Sequence, residues 1–403
     1  MPLDYQSLRV VLVIVLIVLV FATAGSNNAA DEEAIPLKYN LKVGDLLIYQ
    51  MKGGSVYPSL TGGQLSMDAE GIRTQVVTEV SKEGIYSLLT ADFSEITCGL
   101  TSVGRMDMGV ERQKMRPDGS FVERKNWATD PVTTILISAG ELPTKPVKKG
   151  ESWKREVEIP SGGRLDIQWR LAGFQKIKDY DCAQLEGTFT SSMLPSINAI
   201  MAGNFTHFFA VKEGFMVIEK VEVRTMKKDG PSTANFKLEF MKKEALSPTQ
   251  LQETVSALEL AASGQNELYK NYEKAIEAFE KAIEVDLEPF RTYFLYPTLA
   301  RAYLKAGRSY GYGPKDVLKL ADALKKRAGN DAFSYVKLGD VYLAADKNDE
   351  AIEAYQKALE LQPKSHYFKW KLAQAYEEAG DSQRAKQLYQ EILHDLEEWE
   401  KRN

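Results

Sequence analysis

Ala332-Phe333-Ser334-Tyr335-Val336-Lys337-Leu338-Gly339-Asp340-Val341-Tyr342 and, after a polar turn, Ala351-Ile352-Glu353-Ala354-Tyr355-Gln356-Lys357-Ala358 up to Pro363 form the stretch that decides the fold. Counted from Ala332, Tyr335 is fourth, Leu338 and Gly339 seventh and eighth, Tyr342 eleventh, and Ala351, Tyr355, Ala358 and Pro363 stand at 20, 24, 27 and 32. Small residues at Gly339 and Ala351 let two antiparallel helices cross closely, while Tyr342 and Tyr355 fill the space around them. Pro363 cannot continue the second helix and turns the chain into the next unit.

The next unit, 366–399, repeats the pattern with Leu372-Ala373, Tyr376, Gly380, Ala385, Tyr389 and Ile392, and replaces the final proline with Glu397. An earlier unit starts near Tyr293 with Tyr296, Leu299-Ala300, Tyr303 and Gly307, and its second helix after Pro314 is displaced by about five residues from a repeat of about 34. Ala275, Phe279 and Ala282 fit the second helix of a first unit whose opening helix is expected within Gln250–Ala262. Four helical pairs are therefore expected over roughly 249–399, strongest at 332–365 and 366–399.

These spacings resemble the tetratricopeptide-repeat family. The resemblance implies an all-α array whose inner face holds a protein or peptide segment, at repeat positions that here are Phe294, Arg301, Lys305, Phe333, Val336, Asp340, Tyr367, Trp370 and Gln374. The family's carboxylate clamp needs lysine and asparagine where this chain has Val336 and Asp340, so that specialisation is not expected. Packing of these aromatic residues against the other half of the chain is the competing expectation.

From Leu37 to Ala245 the composition changes to β-prone runs broken by Gly53-Gly54, Gly62-Gly63 and Gly162-Gly163. Phe215 to Val223 alternates, as a strand with one face on a core does. Lys42-Val43-Gly44-Asp45 returns as Lys148-Lys149-Gly150-Glu151, the turn before Phe121 returns before Phe215, and Phe93 returns as Phe189. Two antiparallel β units are expected, 37–145 and 146–245, followed by the helical region 246–403. The stretch from Glu141 to Trp153 also resembles segments of β-rich bacterial cell-envelope proteins, which implies export and names no activity.

Val10 to Ala22 is an unbroken apolar run preceded by Arg9 and followed by Ala22-Thr23-Ala24. A membrane span needs about 20 apolar residues, so residues 1–24 read as a secretory signal cut after Ala24 or as an uncleaved anchor using residues 10–24, with 25–36 a linker. Either reading places the remainder outside the cytoplasm, periplasmic or extracellular. There Cys98 and Cys182 could pair, while a buried free thiol is the alternative.

Chemistry is sparsely supplied. Two cysteines and three histidines give no zinc spacing, and no Gly-rich phosphate loop is present. Basic and acidic residues number 28 and 29 over 31–245 and 22 and 26 over 246–403, so neither half has the basic excess of a nucleic-acid binder. His207 is expected to be structural, with a hydrolase only the third reading. The first is a non-catalytic, exported or membrane-anchored protein-binding scaffold without cofactor or metal. The second is a β domain carrying a lipid or other apolar ligand, docked by the repeats; an open apolar trough would favour it and a filled core would oppose it.

Overall fold

A computed structural model describes residues 33–58, 64–98, 101–125, 141–158, 163–194, 198–227, 230–268, 270–285, 295–363 and 365–402. The expected apolar run 10–22, the cut after Ala24 and Phe294 lie outside them. Among the described residues, no helix is long and apolar enough to cross a membrane.

Eleven antiparallel strands are described in the first half: β1 (Asp45–Pro58), β2 (Gln64–Val80), β3 (Tyr86–Cys98), β4 (Thr101–Met115), β5 (Phe121–Lys125), β6 (Ser152–Glu158), β7 (Arg164–Ile177), β8 (Tyr180–Ser191), β9 (Ile200–Ala210), β10 (Phe215–Lys227) and β11 (Gly230–Ala245). They form one sheet in the order β5-β4-β3-β2-β1-β11-β10-β9-β8-β7-β6. The segments expected as two units are thus two meanders sharing a sheet. They meet where β1 pairs with β11, from Asp45 opposite Ala245 to Val56 opposite Thr233.

Each meander enters its first strand through the same turn. Gly44 donates its N–H to Val77 (2.9 Å) and Gly150 donates to Leu171 (2.7 Å). The Lys42 N–H donates to Asp45 Oδ2 at 2.7 Å, and the Lys148 N–H donates to Glu151 Oε2 at 2.8 Å. Both glycines have left-handed φ, +85° and +87°, a region that side chains with a Cβ rarely occupy. The two lead-in segments then join through reciprocal backbone hydrogen bonds between Ile35 and Val147, each 2.9 Å.

Strand alternation splits the side chains between two faces. Leu46, Ile48, Ile72, Val76 and Leu89 point to one face and are covered by Leu251, Val255 and Leu258. The opposite face buries Trp169, Phe189 and Phe205 in one cluster and Leu171, Leu185 and Phe209 in another, under the lead-in residues Leu37, Leu142 and Val147. Trp169 stacks on Trp153 at 6.1 Å and meets Phe205 edge-on at 5.8 Å. These aromatic side chains fill the space between them, which opposes an open apolar trough in this part of the sheet.

Cys182 carries a free, buried thiol. Cys182 faces Ala210 at one end of its strand, whereas Cys98 faces Thr101 at the opposite end of a strand six places away in the sheet. A disulfide needs Cα atoms within about 7 Å. The Cys98 side chain is outside the described set.

Among the described residues eight helices follow: α1 (Pro248–Glu267), α2 (Tyr272–Glu284), α3 (Leu295–Tyr310), α4 (Pro314–Arg327), α5 (Ala332–Ala344), α6 (Asn348–Leu361), α7 (His366–Glu378) and α8 (Ser382–Arg402). Ser247 and Gln250 cap α1 reciprocally, satisfying backbone donors that a helix start leaves unpaired. Asn271, Asp331 and Ser365 accept from the third backbone N–H of α2, α5 and α7. The helices pack as consecutive pairs around one core containing Phe279, Tyr296, Val336, Tyr355 and Phe368.

Candidate functional site: the inner face of the helical array

The close crossings appear where the sequence spacing puts them. A Cβ on Gly339 would stand 2.6 Å from the Tyr355 ring, and Ala351, Tyr355 and Ala358 are fully buried. In the first pair, Gly264 plays the same part: its added Cβ would stand 2.6 Å from Phe279. The opening helix therefore runs to Glu267, and its crossing lies further along than the expected 250–262. In α4, Val317, Ala321 and Leu324 are buried at the spacing of Ala351, Tyr355 and Ala358. A small residue takes the aromatic slot, and Tyr303 stacks on Tyr312 at 4.5 Å.

The expected groove residues separate into three kinds. Val336 is completely buried in the helical core and is not a groove contact. Trp370 is also buried, whereas Phe333, Asp340, Tyr367 and Gln374 are half-buried and Arg301 and Lys305 are exposed. The aromatic members form a connected row: Phe333 meets Phe368 edge-on at 5.4 Å, and Tyr367 lies 5.7 Å from Phe368 and 6.5 Å from Trp370.

Two lysines complete the site. Lys371 Nζ stands 2.9 Å from Asp340 Oδ1, and Lys337 Nζ is 3.7 Å from Oδ2. Tyr355 donates its hydroxyl to the same carboxylate at 2.7 Å. Lys371 also lies 5.7 Å from the Tyr367 ring and 5.5 Å from the Trp370 ring, within reach of a cation–π attraction. The cluster carries one net positive charge, and Arg301 and Lys305 are exposed on α3. Lys337 and Lys371 are both sixth in their units, 34 residues apart; that recurrence was the signal available for finding them.

Contact with the sheet is made mainly elsewhere. Leu251, Val255 and Leu258 of α1 cover the sheet face, and Glu259 pairs with Arg112. At the other end of the array, His366 lies within electrostatic reach of Asp68 on β2, whose carboxyl is raised by burial and lowered in part by that histidine.

His207 is fully buried on β9, stacked on Phe205 at 5.0 Å and directly opposite Glu219 of β10. His366 is 3.4 Å from Asp395 on the helical surface, and His394 is exposed.

No curated protein matches this sequence. Among solved structures, MamA from residue 41 onward, of Desulfovibrio magneticus RS-1, is 22% identical over 34% of this chain and 74% of its own, with a TM-score of 0.27. YrrB, described as a TPR protein with an unusual peptide-binding site, is 18% identical over 36% of this chain and 71% of its own, with a TM-score of 0.27. A lipovitellin structure overlaps 89% of this chain and 46% of its own at 8% identity and a TM-score of 0.33. Residues 336–399 and 270–289 each match a family model described as tetratricopeptide repeat, and the C-terminal half of this chain is a tetratricopeptide-repeat array.

Proposed function

We propose that this protein is a non-catalytic scaffold, exported and either released by signal cleavage or held by its N-terminal apolar segment, that binds a segment of a partner protein on the inner face of its repeats. The observation that carries the reading is the row of Phe333, Phe368 and Tyr367 joined through Lys371 to Asp340, together with the exposed Arg301 and Lys305 of α3. Half-buried aromatics supply anchoring area, and neighbouring charges fix orientation. The sheet serves as the platform on which α1 seats the array.

The test is affinity capture with the full-length chain, compared with Phe333→Ala and Tyr367→Ala variants shown to be folded by circular dichroism. Loss of the same partner in both supports the reading; an unchanged partner set in both contradicts it. Mass spectrometry of the chain isolated from its native host separates cleavage after Ala24 from a retained anchor, and recovery with the cytoplasmic fraction opposes export.

A further inference from the structure

Among the described residues β6 is the last strand at its end of the sheet, paired with β7 from Ser152 opposite Arg170 to Glu158 opposite Arg164. Just before it, the Leu171 N–H donates to the Glu151 carbonyl at 3.0 Å. Backbone groups alternate in direction along an antiparallel strand, so Trp153, Arg155 and Val157 direct theirs at β7. The N–H and C=O groups of Ser152, Lys154, Glu156 and Glu158 therefore point away from the sheet. An open edge of this kind can pair with another strand.

Side chains alternate as well. Ser152, Lys154, Glu156 and Glu158 are exposed on one face, and Trp153, Arg155 and Val157 are half-buried on the other. Trp153 and Val157 pack on the cluster that holds Leu165 and Trp169. Arg155 Nη1 stands 2.6 Å from Glu141 Oε2, so its charge is matched within the chain. Glu156 meets Arg164 at 3.3 Å with 68% of its side chain exposed, and Lys154 and Glu158 pair with no described residue. The edge thus presents one unmatched base and two acids on its solvent face.

We propose that β6 pairs with β6 of a second copy of this chain, antiparallel about a two-fold axis at Arg155, so that two sheets continue into one. Outward backbone groups meet outward ones only when the axis passes through a residue rather than between two, and charge selects among those registers. An axis at Lys154 sets lysine against lysine, and axes at Glu156 or Val157 set glutamate against glutamate, which is destabilising. An axis at Trp153 pairs only Ser152 to Lys154. At Arg155 the whole strand pairs: Lys154 faces Glu156 of the second copy on both sides of the axis, Ser152 faces Glu158, and Trp153 faces Val157. The half-buried Trp153 and Val157 then cover each other across the axis, and the two Arg155 side chains meet with each already matched by Glu141. Such a self-complementary strand gives a closed, isologous dimer. The interface is separate from the inner face of the helices and does not depend on it.

The test is sedimentation equilibrium of the full-length protein and of charge variants shown to be folded by circular dichroism. A strand pair of seven residues a side buries less than a standard interface, so the dimer should be weak, half-populated at ~100 µM. Lys154→Glu and Glu156→Lys each set like charges opposite one another and should weaken the dimer at least about tenfold. Combining the two substitutions restores opposite charges and should return the affinity to within about threefold of the unaltered chain. Both side chains are exposed, so folding should hold. No reversible dimer of the unaltered chain at its highest soluble concentration, a single variant that dimerises unchanged, or a folded double variant as weak as the single ones each overturns the proposal.

Discussion

Lys371 Nζ stands 2.9 Å from Asp340 Oδ1, joining the first helices of two successive repeats. Side-chain exposure is 11% for Lys371, 15% for Asp340 and 4% for Lys337, so this triad is shielded from water. Removing one member of a buried pair leaves the remaining charges uncompensated. Asp340→Ala should destabilise the protein by about 3–5 kcal/mol, read from urea unfolding. Adding Lys371→Met should recover part of that loss, and a double variant no more stable than Asp340→Ala would show that the pair is not coupled.

Gly339 is a discriminating position because two effects oppose each other there. Replacing a helical glycine by alanine gains about 1 kcal/mol from propensity, but here the new Cβ would meet the Tyr355 ring at 2.6 Å. Overpacking costs about 1–3 kcal/mol. Gly339→Ala should therefore lower the urea midpoint, and Gly264→Ala should do so through Phe279; a higher midpoint in either would show that the ring moves freely.

The buried carboxyls set a pH dependence. Burial raises Glu219 to about 7, with Arg73 opposing, and raises Glu141 to about 7, with Arg155 opposing. A carboxyl whose folded pKa lies above its unfolded value binds its proton more tightly in the folded state. Its stabilising contribution is complete below about 4.5 and is lost as pH rises through 7. Between pH 8 and pH 5 these two groups should make the protein more stable as acid is added, and Glu219→Gln should flatten the profile. Glu239, Glu277, Asp316 and Asp395 are lowered chiefly by hydrogen bonds from lysines, and they pull the other way as pH falls through their own values. A Glu219→Gln profile parallel to that of the unaltered chain contradicts the assignment.

Burial pushes the Cys182 thiol up to about 11, and the thiolate is the reactive form. Cys182 should resist a water-soluble disulfide reagent in the folded protein and react once unfolded by urea. Peptide mapping without reductant should recover it unbridged; a Cys98–Cys182 peptide would contradict the sheet topology.

The repeats at 332–399 were legible because close helix crossing demands small residues at fixed intervals, and Gly339, Ala351 and Ala385 mark them. The first pair was less so: its crossing residue, Gly264, lies near the end of a 20-residue helix, off the spacing used by the later units. Strand alternation showed which residues of β10 face the core, but periodicity carries no information on pairing partners. Hence the β1–β11 seam, which joins Asp45 to Ala245, was invisible and two separate units were expected. Val336 fell among the groove residues by position alone, whereas packing draws it inward. Lys337 and Lys371 recur at the sixth place of their units, but only the fold shows that these two charges are buried.

The most direct measurement is the equilibrium affinity of the captured partner segment for the full-length protein and for the Arg301→Glu/Lys305→Glu variant. Both residues are exposed on α3, and surface substitutions of this kind usually change stability by less than about 0.5 kcal/mol, so folding should be unaffected. If the inner face is the binding surface, reversing these charges weakens the segment at least about tenfold, or about 1.4 kcal/mol. An affinity equal to that of the unaltered chain would contradict the account.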